Sequence, residues 1–220
     1  DAANEINLAG NVTVNSGTYH HIVGNYAKAG VDEAGAAVRG PEVSGATIIL
    51  QGDASVKLLF GGGLESGARV SEKSIIKILG NASVTDEVVG GARYSGNAGS
   101  AGADIYVNTT GTIHTVTVGC LGTFSEASTF NLYMLGGTVN YLYAHRLNGY
   151  GEVGGEYTVV NMYIDGGLVK QSYPGRRAWY TSPEDEEMKN FMGNFNSSSY
   201  QGYYYSRPVG MDEFKQLSFY

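Results

Sequence analysis

Apolar and polar positions alternate in short bursts along this chain, and the bursts recur. Residues 131–145, NLYMLGGTVNYLYAH, hold an alternating apolar run, a glycine pair and a second apolar run. Alone, the stretch reads as a strand, a tight turn and another strand. Alignment on Val139 changes that reading. MYIDGGLVKQSY places Val169 at the same point, IYVNTTGTIHTVTV places Ile113, IKILGNASVTDEVV places Val84, IILQGDASVKLLF places Val56, and VTVNSGTYHHIV places Tyr19. The six anchors lie 37, 28, 29, 26 and 30 residues apart, a period that belongs to solenoids, propellers or arrays.

The columns of this alignment keep their side-chain type. Ahead of each anchor stands an apolar pair spaced by two, which puts both members on one face of a strand: Val12/Val14, Ile48/Leu50, Ile76/Ile78, Ile105/Val107, Leu132/Met134 and Met162/Ile164. Two residues before the anchor comes a small residue, Gly17, Ala54, Ala82, Gly111, Gly137 or Gly167, as a sharp corner requires. The positions on either side of the anchor are nearly all polar and, by alternation, face solvent. A propeller blade needs four strands in a longer unit. The pattern therefore predicts a parallel β-helix whose body spans residues 1–173, about six coils and roughly 29 Å tall at the usual strand spacing. Gly/Ser/Ala-rich connections, such as GGGLESGARVSEKS at 61–74, should all leave on one side of it.

The units LGGTVNYLY and IDGGLVKQSY, and the pattern over residues 4–173, resemble the glycine-punctuated coils of bacterial adhesin-like right-handed parallel β-helix surface proteins, within the pectate-lyase-type superfamily. The resemblance implies right-handed winding and a cell-surface setting, and it brings no catalytic residues with it.

Composition shifts after residue 173. Of 33 glycines, 29 precede it, and three of four prolines follow it. Residues 174–220 are expected to form a cap. Ser182 as N-cap, Pro183 at the first turn and acids at 184–187 start a helix over SPEDEEMKNFMG, with Met188, Phe191 and Met192 as its apolar stripe. The rest is an extended, tyrosine-rich tail. Tyr203, Tyr204, Tyr205, Phe214 and Phe219 are its candidate self-association residues, by adding a strand to a neighbour; the alternative is a tail that packs back on its own solenoid.

A net charge of −7 argues against a nucleic-acid partner. No apolar run has the length of a membrane span. The single Cys120 allows no internal disulfide and is expected to be a buried, inert thiol. Because the chain starts at Asp1 without a methionine, a mature extracellular or cell-surface protein is the expected setting.

Chemistry-bearing residues are scattered. Asp53, Asp86, Glu87, Asp104, Glu126 and Asp165 fall at different phases of the repeat, whereas a calcium site needs six to eight converging oxygens. His20 and His114 share a column three coils apart, and no metal or other cofactor is expected. The densest polar-aromatic group is His145, Arg146, Tyr150, Glu152 and Glu156, a candidate glycan contact. The sequence thus reads as a non-enzymatic structural or adhesive module that associates with itself as a homo-oligomer or homopolymer, with surface glycans as further candidate partners. The alternatives are a polysaccharide lyase or glycosidase, or a non-catalytic glycan-binding module, with its site in the loops.

Overall fold

The computed structural model describes residues 6–25, 30–31, 37–38, 43–64, 70–93, 101–121, 128–147, 158–178, 201–206 and 215–219. For 30–31, 37–38, 145–147, 158–159, 173–178, 201–206 and 215–219 it describes the backbone alone.

Every regular element among these residues is a strand. In chain order they are β1 (Asn7–Ala9), β2 (Val12–Val14), β3 (Thr18–Asn25), β4 (Gly30–Val31), β5 (Ala37–Val38), β6 (Thr47–Leu50), β7 (Ser55–Gly63), β8 (Ser74–Gly80) and β9 (Ser83–Val89). They continue as β10 (Gly102–Thr109), β11 (Thr112–Thr117), β12 (Ser128–Met134), β13 (Thr138–Leu147), β14 (Thr158–Ile164), β15 (Leu168–Ala178), β16 (Gln201–Ser206) and β17 (Lys215–Phe219).

Strands taken alternately build two parallel walls. A seven-stranded sheet runs β1-β3-β7-β9-β11-β13-β15, and an eight-stranded sheet runs β17-β16-β14-β12-β10-β8-β6-β2. A glycine corner joins the walls within each unit, so the strands flanking it belong to different sheets and the hairpin reading of NLYMLGGTVNYLYAH does not hold. The chain is an all-β parallel β-solenoid. Among the described residues only β4 with β5 and β16 with β17 pair antiparallel.

The observed register matches the sequence columns residue for residue. Val12, Ile48, Ile76, Ile105, Leu132 and Met162 are successive neighbours in one wall. Tyr19, Val56, Val84, Ile113, Val139 and Val169 are successive neighbours in the other. Both rows belong to one continuous core, with Val12 and Tyr19 at its N-terminal margin only partly buried. Three turns, formed by β6–β7, β8–β9 and β10–β11, have both walls flanked on either side by parallel strands and all their side chains described. That is the count of complete turns against the expected six; the units at either end continue the register with shorter or partly described walls.

Corners differ in length. From the inner residue that closes the first strand to the start of the second, three residues turn the chain at 15–17, 135–137 and 165–167, and four do so at 51–54, 79–82 and 108–111. The central corners therefore stand out as a ridge. In the short corners the glycine before the anchor takes a left-handed backbone, with φ +98° at Gly137. Gly137→Ala is expected to cost about 1–3 kcal/mol, the usual strain of an L residue held there, read as a lowered midpoint in denaturant.

Three features depart from the alternation. The connections expected from Gly61 and from Gly90 onward begin as further rungs: Gly62 N–H donates to Gly91 O at 3.0 Å, and Gly91 N–H donates to Gly119 O at 2.9 Å. The outer side of the seven-stranded sheet also carries a second small core of Val23, Phe60, Leu64, Val89 and Leu121 where strict alternation expects solvent. A bulge between Val84 and Glu87 shifts the phase of β9, so Glu87 is buried and accepts a 2.6 Å hydrogen bond from the Thr117 hydroxyl.

The helix expected over 182–193 lies outside the described residues. β15 runs to Ala178, past the compositional break, and β16 joins the same sheet as the repeat body.

Candidate functional site: ladders on the outer face of the eight-stranded sheet

Alternation in β10, β12 and β14 turns Ile105, Leu132 and Met162 inward and the residues on either side of them outward. The parallel register then stacks equal residues one rung apart. Tyr106 neighbours Tyr133, and Tyr133 neighbours Tyr163. Their rings lie 4.9 Å and 5.1 Å apart between centroids, at interplanar angles of 12° and 8°. Strand spacing alone sets this distance, so the stack follows from having tyrosine at one phase of three consecutive units. The stack ends toward the N-terminus at Lys77, whose Nζ lies 5.9 Å from the Tyr106 ring centroid, within reach of a cation–π attraction.

A polar ladder runs beside it. Asn131 Nδ2 donates to Asp104 Oδ1 at 2.6 Å, and Asn161 Nδ2 donates to Asn131 Oδ1 at 2.8 Å. Lys73 closes the ladder with a 2.6 Å ion pair to Asp104. Burial first, then the Asp104 carboxylate and the phenols of Tyr106 and Tyr163, raises the pKa of the Tyr133 phenol above its ordinary value. Tyr133 is therefore a neutral phenol at physiological pH.

The change from lysine to tyrosine leaves a step in the face. A depression of about 430 Å³ opens there, lined by Ile75, Lys77, Leu79, Tyr106, Asn108 and Leu135 among others. A second, of about 620 Å³, lies where the four-residue corner meets the three-residue one, against Asn108, Thr109, Thr110 and Gly136. The corner ridge has its own ladder. Asn81 Nδ2 donates to Asp53 Oδ1 at 3.0 Å, and the Thr110 hydroxyl donates to Asn81 Oδ1 at 2.6 Å.

On the other wall His20 and His21 sit edge to face, their Nδ1 atoms 2.9 Å apart, and His21 Nδ1 lies 3.0 Å from Asn7 Oδ1. The edge strand β1 brings Asn7 beside His21. Among the described residues no three His, Cys, Asp or Glu side chains stand close enough to hold a metal ion. Cys120 is buried, as expected. Its Sγ accepts the Ala92 N–H at 3.0 Å, and burial raises the thiol pKa well above its ordinary value, with that hydrogen bond opposing.

The residues singled out from sequence are placed as follows. His145 and Arg146 lie in β13, in register with Arg176 and Arg177 of β15. Tyr150, Glu152 and Glu156 lie outside the described residues. Tyr203 lies in β16 in register with Asn161, and Tyr204 and Tyr205 follow it in that strand. Phe219 in β17 is in register with Gly202, and Phe214 lies outside the described residues. Sequence reading missed the tyrosine stack, although its signal is plain: Ile-Tyr-Val, Leu-Tyr-Met and Met-Tyr-Ile put tyrosine inside the inner pair in three successive units.

No helix among the described residues is long and apolar enough to cross a membrane. Comparison with protein-family models, with curated proteins and with solved structures finds no match.

Proposed function

We propose that this chain is a non-catalytic, extracellular structural or adhesive module: a right-handed solenoid of six repeat units that presents ladders of side chains and associates with copies of itself through its ends and tail. The observation that carries this reading is the outer face of the eight-stranded sheet. Four of its charged and amide groups are spent on one another along the solenoid axis, in the Lys73–Asp104–Asn131–Asn161 chain, and its aromatic rings stack on one another. A face satisfied rung by rung is rigid and repetitive, which suits display and lateral contact. Catalysis calls for convergence of acids and bases on one point.

The ends support self-association. The seven-stranded sheet finishes on the eleven-residue β15, and the short strands β1 and β2 finish the two walls at the opposite end. Among the described residues no strand pairs with the outer edges of these strands, and free strand edges template further pairing. The eight-stranded sheet instead finishes on antiparallel β17, so growth beyond it requires the tail to move or to pair in trans. Light scattering over a wide concentration range, with electron microscopy of the same samples, tests this. A mass that rises with concentration is expected, and a chain ending at Gly193 should lose that dependence if the tail is the connector. A sharp monomer at every concentration would sink self-association.

A second reading, binding of acidic glycans, is favoured by one specific juxtaposition. His145 next to Arg176 and Arg146 next to Arg177 concentrate cationic residues at one end of an otherwise acidic chain. Saturable binding of an acidic polysaccharide, lost in Arg146→Ala, without turnover, would support it. Turnover abolished by changes at Glu152 or Glu156 would move the protein to the lyase or glycosidase class.

A further inference from the structure

We propose that Tyr133 and Tyr163 are a site of oxidative cross-linking, at which a peroxidase-type oxidant joins two neighbouring coils through a carbon–carbon bond. The site is independent of the adhesive reading. It begins from a lack: with a single cysteine, the chain has no internal disulfide with which to lock its coils. The tyrosine stack supplies another pair of groups able to form a covalent bond at a fixed place.

The geometry selects the pair. Tyr133 and Tyr163 occupy facing positions in β12 and β14, and their rings are nearly parallel with centroids 5.1 Å apart. Tyr163 is 43% exposed, so an oxidant reaches its ring. Tyr133 is half-buried between Tyr106 and Tyr163, which holds it in place to receive the bond. The Tyr106 ring is half-buried with Lys77 near it, so it is less accessible to the oxidant than Tyr163. Stacked rings also let an oxidising equivalent that enters at Tyr163 pass to Tyr133.

The chemistry balances. Hydrogen peroxide, acting through a haem peroxidase, takes one electron and one proton from each phenol and leaves as two molecules of water. The two phenoxyl radicals couple at ring carbons ortho to oxygen. The hydrogen on each of those carbons then moves to the phenol oxygen as the ring becomes aromatic again. One carbon–carbon bond has formed, and the product is lighter by two hydrogens.

The experiment treats the full chain at low concentration with hydrogen peroxide and a haem peroxidase, isolates the monomer and digests it with trypsin. Cleavage after Arg93, Arg146 and Lys170 leaves Tyr133 in peptide 94–146 and Tyr163 in peptide 147–170. The expected result is a linked pair of these peptides, two hydrogens light, whose fragments place the bond at Tyr133 and Tyr163. Tyr133→Phe and Tyr163→Phe should each remove more than half of the dityrosine fluorescence of the monomer. Tyr141→Phe, on the other wall, should leave it unchanged, and unfolding in denaturant before oxidation should abolish the specific link. The proposal is overturned if Tyr163→Phe leaves the linked pair intact, if the unfolded chain gives it equally well, or if dityrosine forms only between chains.

Discussion

Gly90→Ala is expected to leave little folded protein, with a loss of about 4 kcal/mol or more, at the exceptional end for a single substitution. Gly90 is buried where the seven-stranded wall turns away from β9. A methyl group there would sit inside the van der Waals envelope of the Val118 carbonyl oxygen, with the Phe130 ring only 3.2 Å away on another side. Neither neighbour yields easily. Val118 is part of the next rung, held by its N–H bond to Tyr143 O at 2.9 Å, and Phe130 is fully buried. Relief therefore requires two rungs to part, which sacrifices the hydrogen bonds between them. Gly10→Ala is the matching control. Its φ of +81° is strained for alanine, but nothing lies within 4 Å of the added methyl, so only about 1–3 kcal/mol should be lost. Circular dichroism and denaturant midpoints of the two variants would separate close packing from backbone strain. Equal losses would mean that the rungs are not packed this closely.

Ile105→Ala should destabilise the chain by about 2–5 kcal/mol, because a fully buried side chain leaves both its transfer energy and a cavity behind. Ile105 sits in mid-column between Ile76 and Leu132. Parallel rungs hold the backbone at fixed spacing, so the site has little freedom to collapse, and the upper half of that range is expected. At about 2–4 °C per kcal/mol for a chain of this size, the thermal midpoint should fall by roughly 7–20 °C. Ile49→Ala, a half-buried position on the outer side of β6, two strands away in the same sheet, should cost under about 1.5 kcal/mol. Similar losses at both positions would contradict the assignment of inner and outer faces.

How far the fold could be read from sequence depends on what fixes each part of it. The inner columns were legible because burial demands an apolar residue at every rung, and few folds besides a stacked parallel solenoid combine a period of two with a period near 28. The corner column was legible in position; its conformation was not. Gly17, Gly137 and Gly167 adopt the left-handed backbone, while the Ala54 and Ala82 units place that strain earlier, at Gly52 and Gly80. One added residue in those corners moves the glycine without moving the anchor. Glu87 and the Val23–Phe60–Val89 cover were hidden for a related reason: a bulge, or a connection folding back, changes which face is dry without altering the local pattern. The stacked tyrosines were visible in the letters, but they escape any pattern built on acids and bases that converge. On this face the side chains run in parallel with the axis, so the informative comparison is between units rather than within one.

The paired-cysteine variant Ser55→Cys/Ser83→Cys gives the most direct test of parallel coils stacked in register. Ser55 and Ser83 lie 28 residues apart, face each other between β7 and β9, and bring their hydroxyls to 3.1 Å. Neighbouring strands at this spacing meet the Cα separation that a disulfide needs. Cys120 is buried and stays out of the exchange. Mild oxidation of the folded monomer should close a bond between positions 55 and 83, found by mass spectrometry in the peptides that carry them, and should raise the unfolding midpoint. Two free thiols in the folded, oxidised monomer would contradict the solenoid.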